Sequence, residues 1–148
     1  MFYGESELAL DDKGRISIPT RYRESLVESC QGQVTLTRYP DGCLILMPRG
    51  VWEANRKKIV AWPQEMHALR RMLLGSAAEI EMDGSGRILI SPELRRAANL
   101  SKTVSLVGVG AYFEVWDLQT KAAKEAEQLR EAVASPLWRN YTFEPTEN

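Results

Sequence analysis

Asp11, Lys13 and Arg15 stand within one short stretch, and Asp83 and Arg87 repeat the same Asp-x-x-x-Arg spacing further on. The planar fork of an arginine donates two hydrogen bonds at once to a phosphate or a guanine, and a neighbouring carboxylate can hold that fork in one orientation. Arg21 and Arg23 follow the first motif, and Arg95 and Arg96 follow the second. The chemistry on offer is therefore recognition of a polyanion. Asp11, Asp12 and Glu24 partly cancel the charge of the first cluster, so a single copy should bind weakly. Read without a ligand, each motif is an ion pair across a tight turn, worth about 0 to 1 kcal/mol when exposed. That is little reason to build the same pair twice.

Catalytic alternatives lack the inventory. The single histidine, His67, lies beside Arg70 and Arg71 on a helical stretch, where a solvated side chain is the simpler reading than one member of a Ser-His-Asp arrangement. Zinc has too few nitrogen and sulfur ligands, and Asp83-Gly84-Ser85-Gly86 lacks the ligand spacing of a calcium loop. Gly108-Val109-Gly110 starts like a dinucleotide fingerprint but has neither the third glycine nor the following helix.

The elements that must position these residues come in two copies. Asp11-Asp12-Lys13-Gly14-Arg15-Ile16-Ser17-Ile18 returns as Asp83-Gly84-Ser85-Gly86-Arg87-Ile88-Leu89-Ile90, and the offset of 72 (83 − 11) still relates Arg23 to Arg95. Each copy reads as strand, glycine turn and return strand, followed by a short helix: Arg21 to Val27 in the first and Leu94 to Ala98 in the second. Ser91-Pro92-Glu93 is a strong helix start, with a capping serine and proline at the first helical position. Strands are expected at Val34 to Leu36, Leu44 to Met47, Val104 to Val107 and Tyr112 to Trp116, and helices at Val51 to Ala61, Glu65 to Leu74 and Leu118 to Val133. Met66, Leu69, Met72 and Leu73 form a stripe that reads as core or interface packing. Ser76 to Glu79 matches a capping box, but an alternating strand follows at once, so no helix is assigned there.

With 148 residues, the chain can form one domain or two half-size modules sharing a core, and the repeat favours the second. A module of about 60 residues buries only about 60% of its unfolded surface, so close pairing of the halves or oligomerisation is expected. The formal charge of −1 is uneven: residues 1–74 carry 11 Lys/Arg against 9 Asp/Glu, and residues 75–148 carry 8 against 11. The first copy is thus the stronger partner for a polyanion. Cys30 and Cys43 make neither a metal-type pair nor a disulfide framework, which fits a reducing cytosol. Neither a leader segment nor a membrane span is expected.

Met1-Phe2-x-Gly4, Leu10-Asp11-x-Lys13-Gly14-Arg15-x-x-x-Pro19-x-Arg21-Tyr22-Arg23, and Leu73-Leu74-Gly75-Ser76-Ala77 leading to Met82-Asp83-Gly84-x-Gly86-Arg87 together resemble the MraZ family from Met1 to about Asp117. One departure is Tyr3, where many relatives carry a basic residue. The resemblance implies an α+β fold in which two pseudo-symmetric SpoVT/AbrB-like β-hairpin/helix repeats form a shared β-barrel core with flanking helices. The expected division is residues 1–61 for the first repeat and its helix, 62–75 for a connecting helix, 76–134 for the second repeat and C-terminal helix, and 135–148 for a flexible tail. It further implies a transcriptional regulator of the bacterial division and cell-wall gene cluster, cytoplasmic and associated with the nucleoid. Such a protein would bind repeated promoter boxes in double-stranded DNA as a ring-shaped homo-oligomer.

The resemblance assigns Asp11, Arg15, Asp83 and Arg87 to DNA, and electrostatics adds Lys13, Arg21 and Arg23. No enzyme activity, cofactor, metal or small-molecule ligand is implied. A second reading makes the protein an interaction module whose repeated Asp/Arg pairs clamp subunits together.

Overall fold

A computed structural model describes residues 1–145. The strands are β1 (Phe2–Ala9), β2 (Arg15–Ser17), β3 (Gln33–Arg38), β4 (Leu44–Pro48), β5 (Ala78–Glu81), β6 (Arg87–Leu89), β7 (Thr103–Gly110) and β8 (Phe113–Asp117). The helices are α1 (Thr20–Cys30), α2 (Arg49–Val60), α3 (His67–Gly75), α4 (Pro92–Ala97), α5 (Leu118–Ala132) and α6 (Pro136–Arg139), with a 3-10 turn over Gln64–Met66 before α3. Among the described residues no helix is long and apolar enough to cross a membrane.

Six strands make one antiparallel sheet in the order β1-β7-β8-β4-β3-β5, and β2 and β6 pair separately as a two-stranded antiparallel ribbon. This corrects the expected hairpins, because neither β1 with β2 nor β5 with β6 forms a ladder. Each return strand is only three residues long and instead takes its partner from the other copy, with Ile16 opposite Ile88. The exchange puts Ile16, Ile18, Ile88 and Ile90 into one core at 0–1% exposure. Burial of such a side chain is worth about 1.5 to 3 kcal/mol, more than a short hairpin rung could return.

The expected β-barrel does not emerge as one closed sheet. The six-stranded sheet does not close on itself, since its end strands β1 and β5 make no ladder with each other. Both lead, through their glycine turns, into the strands of the ribbon.

Strand alternation splits the apolar residues between the two faces of the sheet. Leu44 and Leu46 of β4 join the main core with Ile16, Ile88, Leu106 and Phe113, whereas Ile45 and Met47 join a second cluster with Trp52 of α2, Ile59 of α2 and Leu73 of α3. Covered on both faces, β4 reads in sequence as an uninterrupted apolar run. Of the Met66, Leu69, Met72 and Leu73 stripe, only Leu73 is buried and Leu69 is exposed. Buried Thr37 donates to the Leu73 carbonyl at 2.7 Å, tying α3 to β3.

Helix ends follow local chemistry. Ser91 Oγ accepts from the Leu94 amide, and Asp117 Oδ2 accepts from the Thr120 amide and hydroxyl, capping α4 and α5. Ala78 to Glu81 is strand, as the alternation there requires. Within the segment expected to be a tail, Pro136–Arg139 forms a helical turn capped by Ser135, and residues 146–148 lie outside the described residues.

Candidate nucleic-acid interface

One carboxylate closes each turn and holds its arginine. Asp11 Oδ1 accepts the amides of Lys13 at 2.9 Å and Arg15 at 2.8 Å, while its Oδ2 accepts Arg15 Nε at 2.8 Å. Asp83 repeats this with the amides of Ser85 and Arg87 and with Arg87 Nε, all at 2.9 Å. The turn needs a left-handed residue, supplied by Gly14 at φ +86° and Gly86 at φ +79°. Both carboxyls are held below the usual aspartate value, chiefly by the following arginine's amide; desolvation opposes this, and the arginine side chain and a second amide add to the lowering.

Only Nε of each arginine is engaged. The Nη nitrogens of Arg15 and Arg87 make no protein hydrogen bond among the described residues, and the two side chains remain 26% and 35% exposed. Each fork is thus oriented from behind and open in front. The ribbon register places Arg15 opposite Leu89 and Ser17 opposite Arg87. Ile16 and Ile88 point into the core, so these other four residues share the outward face. The arginines occupy diagonal corners, about 8 Å apart from strand rise and spacing. A two-stranded β-ribbon fits the major groove of B-DNA, where arginine forks meet guanine O6 and N7.

The remaining candidates separate. Lys13 is exposed at the tip of the first turn, and its counterpart 72 positions on is the uncharged Ser85. Arg21 is also exposed but bonds Ser6 Oγ at 2.8 Å and lies over the Tyr22 ring at 4.7 Å, beside β1 rather than on the ribbon. Arg23 is half-buried, donates from Nε to the Ile18 carbonyl at 2.5 Å, and lies across Gly86. Arg95 does the same for the other junction, donating to the Ile90 carbonyl at 3.0 Å and lying across Gly14.

Leu89 is the ribbon residue that charge-based reading missed. It is 52% exposed on the same face as both arginines. The alternation Arg87-Ile88-Leu89-Ile90 was its signal. Among the described residues no group of three His, Cys, Asp or Glu side chains is placed to hold a metal ion.

One turn-and-helix unit used twice, with its short strands exchanged into an arginine-bearing ribbon, defines a tandem-repeat α+β protein. The family model described as "MraZ protein, putative antitoxin-like" matches residues 1–74 and again residues 72–136. The chain belongs to the MraZ family. It is 52% identical to "Transcriptional regulator MraZ" of Cupriavidus pinatubonensis over 143 residues, covering 97% of this chain and 100% of that protein. It is 51% identical to the protein of the same name from Bordetella pertussis over 137 residues, covering 93% and 96% respectively. The Burkholderia mallei protein of that name is 51% identical over 143 residues, covering 97% and 100%.

Proposed function

We propose that this protein is a transcriptional regulator that binds DNA in a sequence-specific way through the outward face of the β2–β6 ribbon. The observation that carries this reading is the pair of half-buried arginine forks, each oriented by its own aspartate through Nε and each with its Nη groups free of protein partners among the described residues. Arg15 and Arg87 read base edges, and Lys13 adds a phosphate contact beside Arg15. Asp11 and Asp83 act as positioning residues. Arg23 serves the junction rather than the DNA, and Arg21 contributes charge from the flank. The relatives' shared name, a transcriptional regulator, supports the same reading.

A net charge of −1 leaves a single copy with modest affinity. A ring-shaped homo-oligomer on repeated promoter boxes answers this, since the second and later contacts become intramolecular. In this reading the two repeats are halves of one pseudo-symmetric unit, and the protein works at the nucleoid in the cytoplasm on the division and cell-wall gene cluster. The subunit-clamp alternative draws less support, because both carboxylates are already engaged within their own turns.

Gel shifts on DNA from upstream of the protein's own coding region test the proposal. Arg15→Ala and Arg87→Ala should each weaken specific binding about tenfold to a hundredfold per site at unchanged oligomeric mass, in line with about 1 to 3 kcal/mol for a bidentate base contact. Unchanged binding by both would overturn it. Loss of mass without a DNA defect in the remaining assemblies would instead establish the clamp.

A further inference from the structure

We infer that Leu89 is itself a base-reading residue, packing on the 5-methyl group of a thymine beside the guanine that Arg15 takes. The inference rests on the ribbon reading proposed above and adds to it a preference at one end of the ribbon.

The outward face of the β2–β6 ribbon carries four side chains, with Arg15 opposite Leu89 and Ser17 opposite Arg87. Ser17 and Leu89 are both exposed. The Ile18 amide bonds the Gly86 carbonyl and the Ile90 amide bonds the Gly14 carbonyl, each at 2.8 Å. Hydrogen-bonded rungs alternate in an antiparallel pair, so Arg15–Leu89 and Ser17–Arg87 are the intervening rungs, in which opposed side chains stand closest. Their Cβ atoms lie about 4.5 to 5.5 Å apart. Base pairs of B-DNA follow one another at about 3.4 Å along the axis, so a fork and a leucine on one such rung meet neighbouring base pairs.

Nothing in the fold calls for an apolar side chain at this position. Leu89 belongs to neither hydrophobic cluster, and the ribbon's core residues, Ile16 and Ile88, point the other way. Its equivalent in the first repeat, 72 positions earlier (89 − 72), is Ser17, which fills the same place in the same ladder with a hydroxyl. A lone exposed leucine is ordinary on a protein surface. This one stands between two guanidinium forks, with Arg15 across the ladder and Arg87 two residues before it on its own strand.

In the major groove guanine, cytosine and adenine present hydrogen-bonding groups, and thymine adds a methyl. Leucine has neither donor nor acceptor, so against a polar base edge it would cover groups that lose their water without gaining a partner. Against the thymine methyl it removes two apolar surfaces from water at once. The two ends of the ribbon are therefore chemically different. One pairs a fork with a methyl reader, and the other pairs a fork with a hydroxyl that bonds donors and acceptors alike.

The test compares two versions of DNA from upstream of the protein's own coding region, one made with thymidine and one with deoxyuridine, which keeps base pairing and removes the methyls. In gel shifts the wild type should bind the deoxyuridine DNA about fourfold more weakly per occupied site, the effect of one buried methyl. Leu89→Ala should bind the two DNAs alike, at the wild-type oligomeric mass by light scattering. A wild type indifferent to the methyls would overturn the inference. So would a Leu89→Ala variant that keeps the wild-type ratio, because the methyls would then act elsewhere in the interface or through DNA shape. A Leu89→Ala variant of lower mass would make Leu89 a subunit contact and overturn it as well. Arg15→Ala and Arg87→Ala on the thymidine DNA separate this inference from the reading beneath it. If they bind weakly while the wild type ignores the methyls, the ribbon stands and only the role of Leu89 falls; if both bind unchanged, the ribbon reading falls and takes this inference with it.

Discussion

Arg23 of the first repeat lies across Gly86 of the second, so close that a side-chain carbon built on the glycine would collide with the guanidinium. Arg95 lies across Gly14 in the same way, with its Cζ 2.8 Å from where that carbon would be. The backbones join at the same places: the Ile18 amide donates to the Gly86 carbonyl and the Ile90 amide to the Gly14 carbonyl, both at 2.8 Å. Each repeat therefore completes the turn that carries the other repeat's candidate DNA contact.

Gly86→Ala should destabilise the protein by about 2 to 3 kcal/mol, combining the cost of a left-handed backbone with overpacking against Arg23. Gly84→Ala, two residues away, is the control, because it has open space and no positive φ. Urea unfolding should show a lowered midpoint for Gly86→Ala and little change for Gly84→Ala. In an Arg23→Ala background the Gly86→Ala penalty should shrink, since the overpacking part has been removed. Equal midpoints for the two glycine variants would contradict the packing described here.

Arginines at the junction and on the ribbon should fail differently. Arg23→Ala removes a charged donor from the Ile18 carbonyl and should cost about 1.5 to 3 kcal/mol of stability. Arg15→Ala removes a solvent-screened ion pair that contributes little to stability, so its thermal midpoint should stay near the wild-type value while its DNA affinity falls. Thermal melts beside gel shifts check both halves of this expectation. A ribbon variant that melts as early as the junction variant would put Arg15 in the core machinery instead.

The sequence revealed the repeat, the two turns and the pairs Asp11–Arg15 and Asp83–Arg87, because those depend on residues four apart. Helix α4 was readable for the same reason: Ser91, Pro92 and Glu93 encode its start locally. Strand exchange was not readable. Arg-Ile-Ser and Arg-Ile-Leu fit a local hairpin as well as an exchanged ribbon, and only the burial of four isoleucines in one core decides between them. The charge of Arg23 is visible in the sequence, whereas its packing across Gly86 is not, since that glycine lies 63 positions away (86 − 23). Leu89 carries no charge to mark it, and only the strand alternation places it on the arginine-bearing face.

Both turns should hold down to mildly acidic pH and open below it. The carboxyls of Asp11 and Asp83 lie below the usual aspartate value, so the stability they confer is complete above the unfolded value of about 3.9 and is lost as pH falls through their lower folded values. Carbon NMR titration of the two carboxyls should give midpoints below that unfolded value. Arg15→Ala should raise the Asp11 midpoint only part of the way, because the residue-15 amide, the larger influence, survives the substitution. A midpoint at or above about 3.9 in the wild type would mean the turn is open in solution.

Arg49 is a stabilising residue that neither charge nor spacing marks out. It opens α2 directly after Pro48, and its side chain reaches back across the sheet: Nε donates to Thr35 Oγ1 at 3.1 Å, and Nη2 donates to the Val34 carbonyl at 2.7 Å and the Ile80 carbonyl at 3.2 Å. Thr35 is fully buried, and Glu79 approaches Nη1 at 3.6 Å. One guanidinium thus joins α2 to β3 of the first repeat and β5 of the second, at the edge where the sheet ends. Lysine keeps the charge but has no planar fork, so it cannot serve two strands and a hydroxyl together. Arg49→Lys should therefore cost about 1 to 2 kcal/mol and Arg49→Ala about 2 to 4, both read as lowered urea midpoints. The lost bonds lie at the β3–β5 edge, so amide exchange should accelerate most at Val34, Thr35, Glu79 and Ile80 in both variants. A lysine variant as stable as the wild type would show that charge alone, through Glu79, holds this edge.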